Sequence, residues 1–204
     1  MYIETEETPN PQSLKFTADR AVLGLGPNGQ PAVGRDYPAP ETAAKAPLAE
    51  AVFAIDGVKG VFLGPDFVTV TKDDSLDWAH LKPTVLGAIA DHLASGAPIV
   101  LADDDGGDAE RHDKPATSLD EYEGEDREVV EQIIELIDTR VRPAVAADGG
   151  DIVFKHYEPR TGVVFLSLHG SCQGCPSSTM TLKAGIENML KHYVPEVVKV
   201  EPVV

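Results

Sequence analysis

The sequence predicts a mixed α/β fold of the α+β type, made of two small domains joined by an acidic, flexible linker. The chain has 204 residues, of which 42% are hydrophobic, enough for small packed cores. Runs with strand-like alternation are interspersed with runs of helical periodicity. Between Leu101 and Asp126 acidic residues outnumber basic ones by about nine, and such a stretch cannot bury enough apolar surface to fold. We therefore predict domains at residues 1–100 and 127–204, with the linker at 101–126.

The first domain is predicted to combine a sheet with two helices. Strands are expected at "YIETEE" and "SLKFTA", a loop or hairpin region at the Gly- and Pro-rich "LGLGPNGQPAVGRDYPAP", a helix at "APLAEAVFAIDG", and a hairpin at "VKGVFLG" and "PDFVTVTK". A second helix follows, with Ser75 or Asp77 as its cap and Gly96 beyond its end. Its buried stripe is expected to be Leu81, Val85, Ile89 and Leu93. No residue of this domain suggests catalysis.

The second domain is predicted to follow the order α-β-β-α-β, with a mixed sheet. The first helix carries apolar residues at helical spacing and meets Pro143, which should kink it or begin a separate last turn. The strands "DIVFKHYE" and "GVVFLSLHG" form a hairpin, and "EVVKVEPV" is the last strand. Between them "PSSTMTLKAGIENMLKHYV" is a helix, whose expected buried positions are Met180, Ile186, Met189 and Leu190.

Charge and the N-terminal segment limit the partners that we expect. The formal net charge is −17, which argues against nucleic acid and against an anionic membrane surface as partners. No run of apolar residues is long enough for a transmembrane helix. The first residues show neither a secretory signal nor a transit peptide. We therefore expect a soluble protein of the bacterial cytoplasm.

The chemistry of the chain is concentrated in "GSCQGCPSSTM", residues 170–180, which holds both cysteines, Cys172 and Cys175. Two cysteines so close together are poor material for a structural disulfide, since the bridge would restrict the unfolded chain very little. They follow a predicted strand and precede a predicted helix, whose free N–H groups and positive end should lower the pKa of the thiols. Pro176 suits the first helical position. The loop is therefore a candidate site for a metal or cluster.

Three uses of this cysteine pair remain open on the residues alone. A thiol–disulfide redox protein also places Cys-x-x-Cys between a strand and a helix, although the predicted α-β-β-α-β order does not suit that fold. Zinc would find only half a site, and His169, which we expect to be partly exposed, is a weak third ligand. An iron–sulfur cluster needs four thiolates, which two chains related by a two-fold axis would supply together.

The same residues carry a resemblance to a known family. "RPAVAADGGDIVF" and "GSCQGCPSSTMTLKAGIENML" resemble the C-terminal domain of the NifU-like (Nfu) iron–sulfur scaffold and carrier proteins. "TPNPQSLKF", "GVKGVFLGPDFVTVTK" and "DWAHLKP" resemble the N-terminal Nfu domain. The acidic "DGGD" of residues 148–151 also recurs in that family near the cysteine loop, although it equally suits a helix end followed by a tight turn.

The resemblance implies a carrier and not an enzyme, with no catalytic residues. Cys172 and Cys175 would ligate a labile [4Fe–4S] cluster, or a [2Fe–2S] cluster, shared between the protomers of a homodimer that forms on cluster binding. The cluster would come from upstream assembly proteins and be transferred to apo iron–sulfur client proteins. The N-terminal domain would contribute recognition or modulation. A thiol–disulfide redox protein that uses the same cysteines stays the alternative function.

Overall fold

The computed structural model describes residues 2–26, 29–101, 119–171 and 176–203. The first half of the chain forms an antiparallel five-stranded sheet in the order β1-β2-β5-β4-β3. Its strands are β1 (Ile3–Glu7), β2 (Ser13–Ala18), β3 (Arg35–Tyr37), β4 (Val58–Leu63) and β5 (Phe67–Lys72). Two helices, α1 (Pro47–Phe53) and α2 (Trp78–Ser95), accompany this sheet, and a short 3₁₀ turn, Pro40–Ala43, precedes α1.

The helix α2 forms for the reasons that its sequence suggests. The carboxylate of Asp77 caps it, with Asp77 Oδ1 accepting from the amide of Ala79 at 2.9 Å. Gly96 ends it in the left-handed region, at a φ of 71°. The predicted stripe of Leu81, Val85, Ile89 and Leu93 is buried and packs in one core with residues of the sheet, including Phe16 and Val70. The prediction for this helix is therefore confirmed at both ends and along its buried face.

The second half of the chain forms a three-stranded mixed sheet. Its elements are α3 (Glu125–Leu136), a π-helical turn (Ile137–Val141), α4 (Arg142–Ala147), β6 (Gly150–Glu158), β7 (Val163–Gly170), α5 (Pro176–Tyr193) and β8 (Lys199–Val203). β6 pairs with β7 in antiparallel fashion and β7 pairs with β8 in parallel, because α5 connects β7 to β8 as a crossover. The predicted α-β-β-α-β order, the mixed sheet and the two-domain α+β architecture are confirmed.

Pro143 divides the first helical region of this domain into separate segments. Proline lacks the N–H that would complete the helical hydrogen-bond ladder. A π-helical turn, Ile137–Val141, precedes the proline, and Pro143 lies in the first turn of the separate helix α4, where its missing N–H is tolerated. Val130, Ile133 and Ile137 stay buried across this irregularity. The predicted effect of Pro143 is therefore confirmed.

One prediction about the buried positions of α5 is wrong. Met180 is 71% exposed because it lies six residues, or about 120° around the helix, from Ile186 and so falls outside the buried stripe. The buried stripe of α5 is instead carried by Ile186 and Leu190. The Gly- and Pro-rich region predicted as a loop or hairpin contains an antiparallel bridge between Leu25 and Pro31, and also the short edge strand β3, which pairs with β4.

Two further expectations concern the linker and membranes. The limits of the linker, 101–126, stay a prediction because residues 102–118 lie outside the described ranges. Tyr122, which lies within the predicted linker range, is buried in the hydrophobic core of the second half of the chain. Its hydroxyl donates to the carbonyl of Tyr157 at 2.9 Å. Among the residues that the structure describes, no helix combines the length and the hydropathy needed to cross a bilayer.

Candidate functional site

The two predicted ligands, Cys172 and Cys175, lie outside the described residues, but the structure describes what holds both ends of their loop. β7 ends at Gly170, and α5 begins at Pro176. Between the strand and the loop stands Ser171, which is buried. Its amide donates to the carbonyl of Gly149 at 3.3 Å, and its hydroxyl donates to the carbonyl of Asp148. The residue directly before Cys172 is therefore fixed to a neighbouring turn.

That turn is the "DGGD" segment, residues 148–151, and it ends a helix as one of its two interpretations predicted. α4 ends at Ala147, and the amide of Gly149 donates to the carbonyl of Ala146 at 3.0 Å. Gly149 adopts a φ of 81°, which a side chain at this position would disfavour. The chain then enters β6, where Gly150 pairs with Gly170 of β7. The turn and the base of the cysteine loop thus lie side by side.

Asp151 is the charged centre of this region. The residue is only 7% exposed, yet its carboxylate accepts four hydrogen bonds. Two come from Nε and Nη2 of Arg142, each at 2.9 Å, and the others from the amides of Gly34 at 3.0 Å and Ile152 at 2.7 Å. Burial lowers the pKa of the Arg142 guanidinium, but the hydrogen bonds and charge of Asp151 outweigh it and leave that pKa raised. Asp151 therefore has hydrogen-bond partners on both of its carboxylate oxygens.

His169, the weak candidate for a zinc ligand, lies in this region as a buried residue. It is 7% exposed, so the expectation of partial exposure is wrong. Its Nδ1 lies 3.9 Å from Oδ2 of Asp36, a residue of β3. Within the described ranges, no three His, Cys, Asp or Glu side chains are grouped so that they could hold a metal ion. The zinc hypothesis stays untested, since both cysteines lie outside those ranges.

An apolar cavity of about 630 Å³ lies beside the base of the loop. Ser171 is one of its lining residues. The apolar lining comes mainly from Val141, Ala144, Leu182, Ile186 and Met189, together with Pro9 of the first half of the chain. Nothing in the sequence singled out this cavity, because its walls come from segments that are distant along the chain.

Replacing Gly170 with alanine should destabilise the base of the loop by about 2–4 kcal/mol. Gly170 has a φ of 69°, and an added Cβ would lie 2.7 Å from the carbonyl oxygen of Gly149 and 3.0 Å from Cα of Gly150. Both atoms are backbone, so neither can move aside cheaply. Hydrogen exchange of the β7 amides would give the loss in opening free energy.

The matched control is alanine at Gly185 of α5, where an added Cβ meets nothing within 4 Å. That change should stabilise the same domain by about 0.5–1 kcal/mol, since glycine is a poor helix former. Equal exchange in the two variants would show that the backbone at Gly170 is not constrained in this way.

Comparison with known proteins gives matches along most of the chain. Residues 3–96 match the family "Scaffold protein Nfu/NifU N terminal", and residues 133–201 match the "NifU-like domain". The human protein named "NFU1 iron-sulfur cluster scaffold homolog, mitochondrial" is 47% identical over 204 residues, which are 100% of this chain and 72% of that protein. The protein of the same name from Drosophila erecta is 46% identical over 203 residues, with 100% of this chain and 65% of that protein covered.

A plant relative gives a similar match. "NifU-like protein 5, mitochondrial" of Arabidopsis thaliana is 45% identical over 201 residues, which are 98% of this chain and 67% of that protein. This chain therefore spans about two thirds of the length of the Drosophila erecta and Arabidopsis relatives and somewhat more of the human one.

The relatives correct one prediction made from the sequence. A bacterial cytoplasmic location was expected because the N-terminal residues show no targeting segment, whereas these relatives are all named mitochondrial. The expectation of a bacterial cytoplasmic location is therefore wrong. The family resemblance is confirmed, because the N-terminal Nfu model matches the first half of the chain and the NifU-like model matches the second half. The chain therefore belongs to the Nfu family of NifU-like proteins.

Proposed function

We propose that this chain is an iron–sulfur cluster scaffold and carrier. Cys172 and Cys175 bind the cluster, and two chains together hold one [4Fe–4S] cluster as cargo until an apo-protein takes it. The observation that carries the proposal is the scaffold name of relatives that match the whole chain at up to 47% identity, combined with a single pair of cysteines in the loop between β7 and α5.

The surroundings of the loop suit an anionic cargo. The first turn of a helix presents N–H groups without intrahelical partners, together with the positive end of the helix dipole. α5 begins at Pro176, directly after Cys175, and runs for 18 residues. Such a helix start favours thiolates over thiols and attracts the negative charge of a cluster that thiolates ligate.

The number of cysteines supports a cluster shared between chains. Four thiolates are the usual ligand set of a [4Fe–4S] cluster, and each chain has two cysteines. A two-fold symmetric dimer completes the set. The same arrangement makes the cargo easy to release, because separation of the protomers removes half of its ligands.

Transfer then proceeds by exchange of ligands and not by turnover of a substrate, so we class the protein as a carrier and not as an enzyme. A thiolate of the client forms a bond to iron as the bond from Cys172 or Cys175 breaks. The displaced thiolate takes a proton from solvent, and neither iron nor sulfur changes its oxidation state. The partners are therefore apo-proteins with free thiols and the assembly proteins that supply the cluster.

Anaerobic reconstitution with iron and sulfide tests this function. We expect a brown dimer with about four irons and four sulfides for every two chains, which then converts an apo-ferredoxin to its holo form. A colourless monomer whose two thiols cycle with a disulfide would instead assign the protein to thiol–disulfide redox chemistry. Purified protein that carries zinc at the two cysteines and takes up no iron or sulfide would also refute the proposal.

A further inference from the structure

The first sheet is buried on both of its faces. One face packs against α1 and α2 and contributes Leu14, Phe16, Val68 and Val70 to the first core. The other face carries Lys15, Phe62, Phe67 and Thr69, which are buried although they belong to neither core. A sheet face of this kind would be exposed if the first domain stood alone. We name these four residues the docking face.

The docking face packs against the base of the cysteine loop. Lys15 Nζ donates to the carbonyl of Ala147 at 3.2 Å, and Thr69 Oγ1 donates to the carbonyl of Gly149 at 2.7 Å. Gly170 lies so close to Phe62 that an added Cβ would be 3.0 Å from Cγ of that ring. A further hydrogen bond between the two halves of the chain runs from the amide of Gly34 to the carboxylate of Asp151.

One atom joins this contact to the cysteine loop. The carbonyl oxygen of Gly149 accepts from the hydroxyl of Thr69, across the two domains, and from the amide of Ser171. Ser171 is the residue before Cys172. The docking face is therefore connected, through the carbonyl of Gly149, to the backbone of the residue that precedes the cysteine loop.

The chemistry of the contact allows it to open. The contacts just described include three hydrogen bonds to or from backbone groups, all of which water can replace when the domains separate. Lys15 also keeps local partners, since its Nζ lies 3.2 Å from Oε2 of Glu6 and 4.9 Å from the centre of the Phe67 ring. The rings of Phe62 and Phe67 add a small apolar part to this contact. Interfaces between domains commonly permit relative motion unless they are large and hydrophobic.

We propose that the N-terminal domain is a positioning element for the cluster loop, and that its docking face slows release of the cargo. When the domain is docked, Lys15 and Thr69 hold the Ala147–Gly149 turn and so the backbone at Ser171. When it is undocked, that backbone is released and the cluster leaves faster. This inference rests on the proposed function. A client that binds the docking face would promote its own loading.

The test uses the full chain carrying Lys15→Met together with Thr69→Val, which removes both side-chain donors and leaves their backbone acceptors in place. We expect faster hydrogen exchange at residues 147–151 and 170–171. We also expect loss of the reconstituted cluster to a chelator to accelerate on the order of tenfold, as the loss of one or two hydrogen bonds predicts. Lys59→Met with Thr84→Val makes the same chemical changes at exposed positions and should alter neither quantity.

The outcomes separate this inference from the function on which it rests. A parent chain that takes up no cluster refutes both. A parent chain that binds the cluster, with a variant that shows faster exchange but unchanged release, refutes the positioning role alone. Unchanged exchange in the variant also refutes it, because the two donors would then not hold the turn. Fluorescence of Trp78, which packs edge-to-face on Phe16 at 6.5 Å, reports whether the first core stays folded.

Discussion

Replacement of Cys172 or Cys175 by serine should leave the chain folded and abolish binding of the proposed cluster. Each variant dimer would offer two thiolates where the cluster needs four, and a serine hydroxyl is not deprotonated at neutral pH. Bound iron and sulfide should fall by more than about tenfold, since even the outer-shell partners of metal ligands account for about 10–100-fold in affinity. Iron and sulfide analysis after anaerobic reconstitution, with the solution mass of each variant, measures the effect.

A sulfur that is not a thiol gives the matched control. Met180 stands near the loop and is exposed, so Met180→Leu removes a thioether and leaves both thiolates in place. This variant should bind the cluster as the parent does. A Cys172→Ser protein that still formed a brown dimer and loaded an apo-ferredoxin would show that the cysteines are not the ligands, and the proposed function would fall with them.

Local patterns were sufficient to predict most of the elements. The buried stripe of α2 and the cap at Asp77 follow from the spacing of a few neighbouring residues, and such rules act within one or two turns. The hairpin of β4 and β5 follows similarly from two alternating runs around Gly64 and Pro65. In each case the determining contacts are short-range along the chain.

The features that the sequence did not reveal depend mainly on contacts between distant segments. β3 is a three-residue edge strand whose pairing comes from β4, some twenty residues later, and no periodicity can be seen in so short a run. His169 was expected to be partly exposed because β7 alone does not reveal that Asp36 lies against it. The docking face was missed for the same reason, since Lys15 and Thr69 have polar side chains that usually indicate solvent.

For the cysteine pair, the sequence revealed the residues but not their chemistry. Its residues and spacing were visible in the sequence at once, whereas spacing alone did not decide between a cluster, zinc and a dithiol. The family to which the chain belongs now favours the first of these. The structure adds what the motif could not supply: Ser171 is tied to the turn at Asp148 and Gly149, and the first domain packs on that turn.

Replacement of Asp151 by asparagine should destabilise the second domain by about 2–4 kcal/mol, because a buried ionic group would lose its partner. The asparagine side chain has nearly the same shape, but its amide nitrogen is a donor. That nitrogen would face the guanidinium of Arg142 or the amides of Gly34 and Ile152, which are themselves donors. Arg142 would be left partly buried without its bidentate carboxylate. Asp151 is the second residue of β6, so hydrogen exchange of the β6 amides measures the loss.

Asp138 provides the control because it contacts the same arginine from an exposed position. Its Oδ1 lies 3.5 Å from Nη1 of Arg142, and its side chain is 52% exposed. The partial burial of this carboxyl raises its pKa despite the opposing charge of Arg142, so its ionised form is slightly unfavourable in the folded chain. This penalty is present at neutral pH and disappears as the pH falls and the group is protonated.

Asp138→Asn should therefore change stability at neutral pH by less than about 0.5 kcal/mol, and in the stabilising direction if at all. The contrast between the two asparagine variants isolates the buried carboxylate from the general loss of a negative charge. An Asp151→Asn protein as stable as its Asp138→Asn counterpart would mean that the hydrogen bonds of Arg142 and Gly34 to Asp151 contribute nothing to the fold. Such a result would also mean that the hydrogen bond from the amide of Gly34 to Asp151 does not help to hold the N-terminal domain against the base of the cysteine loop.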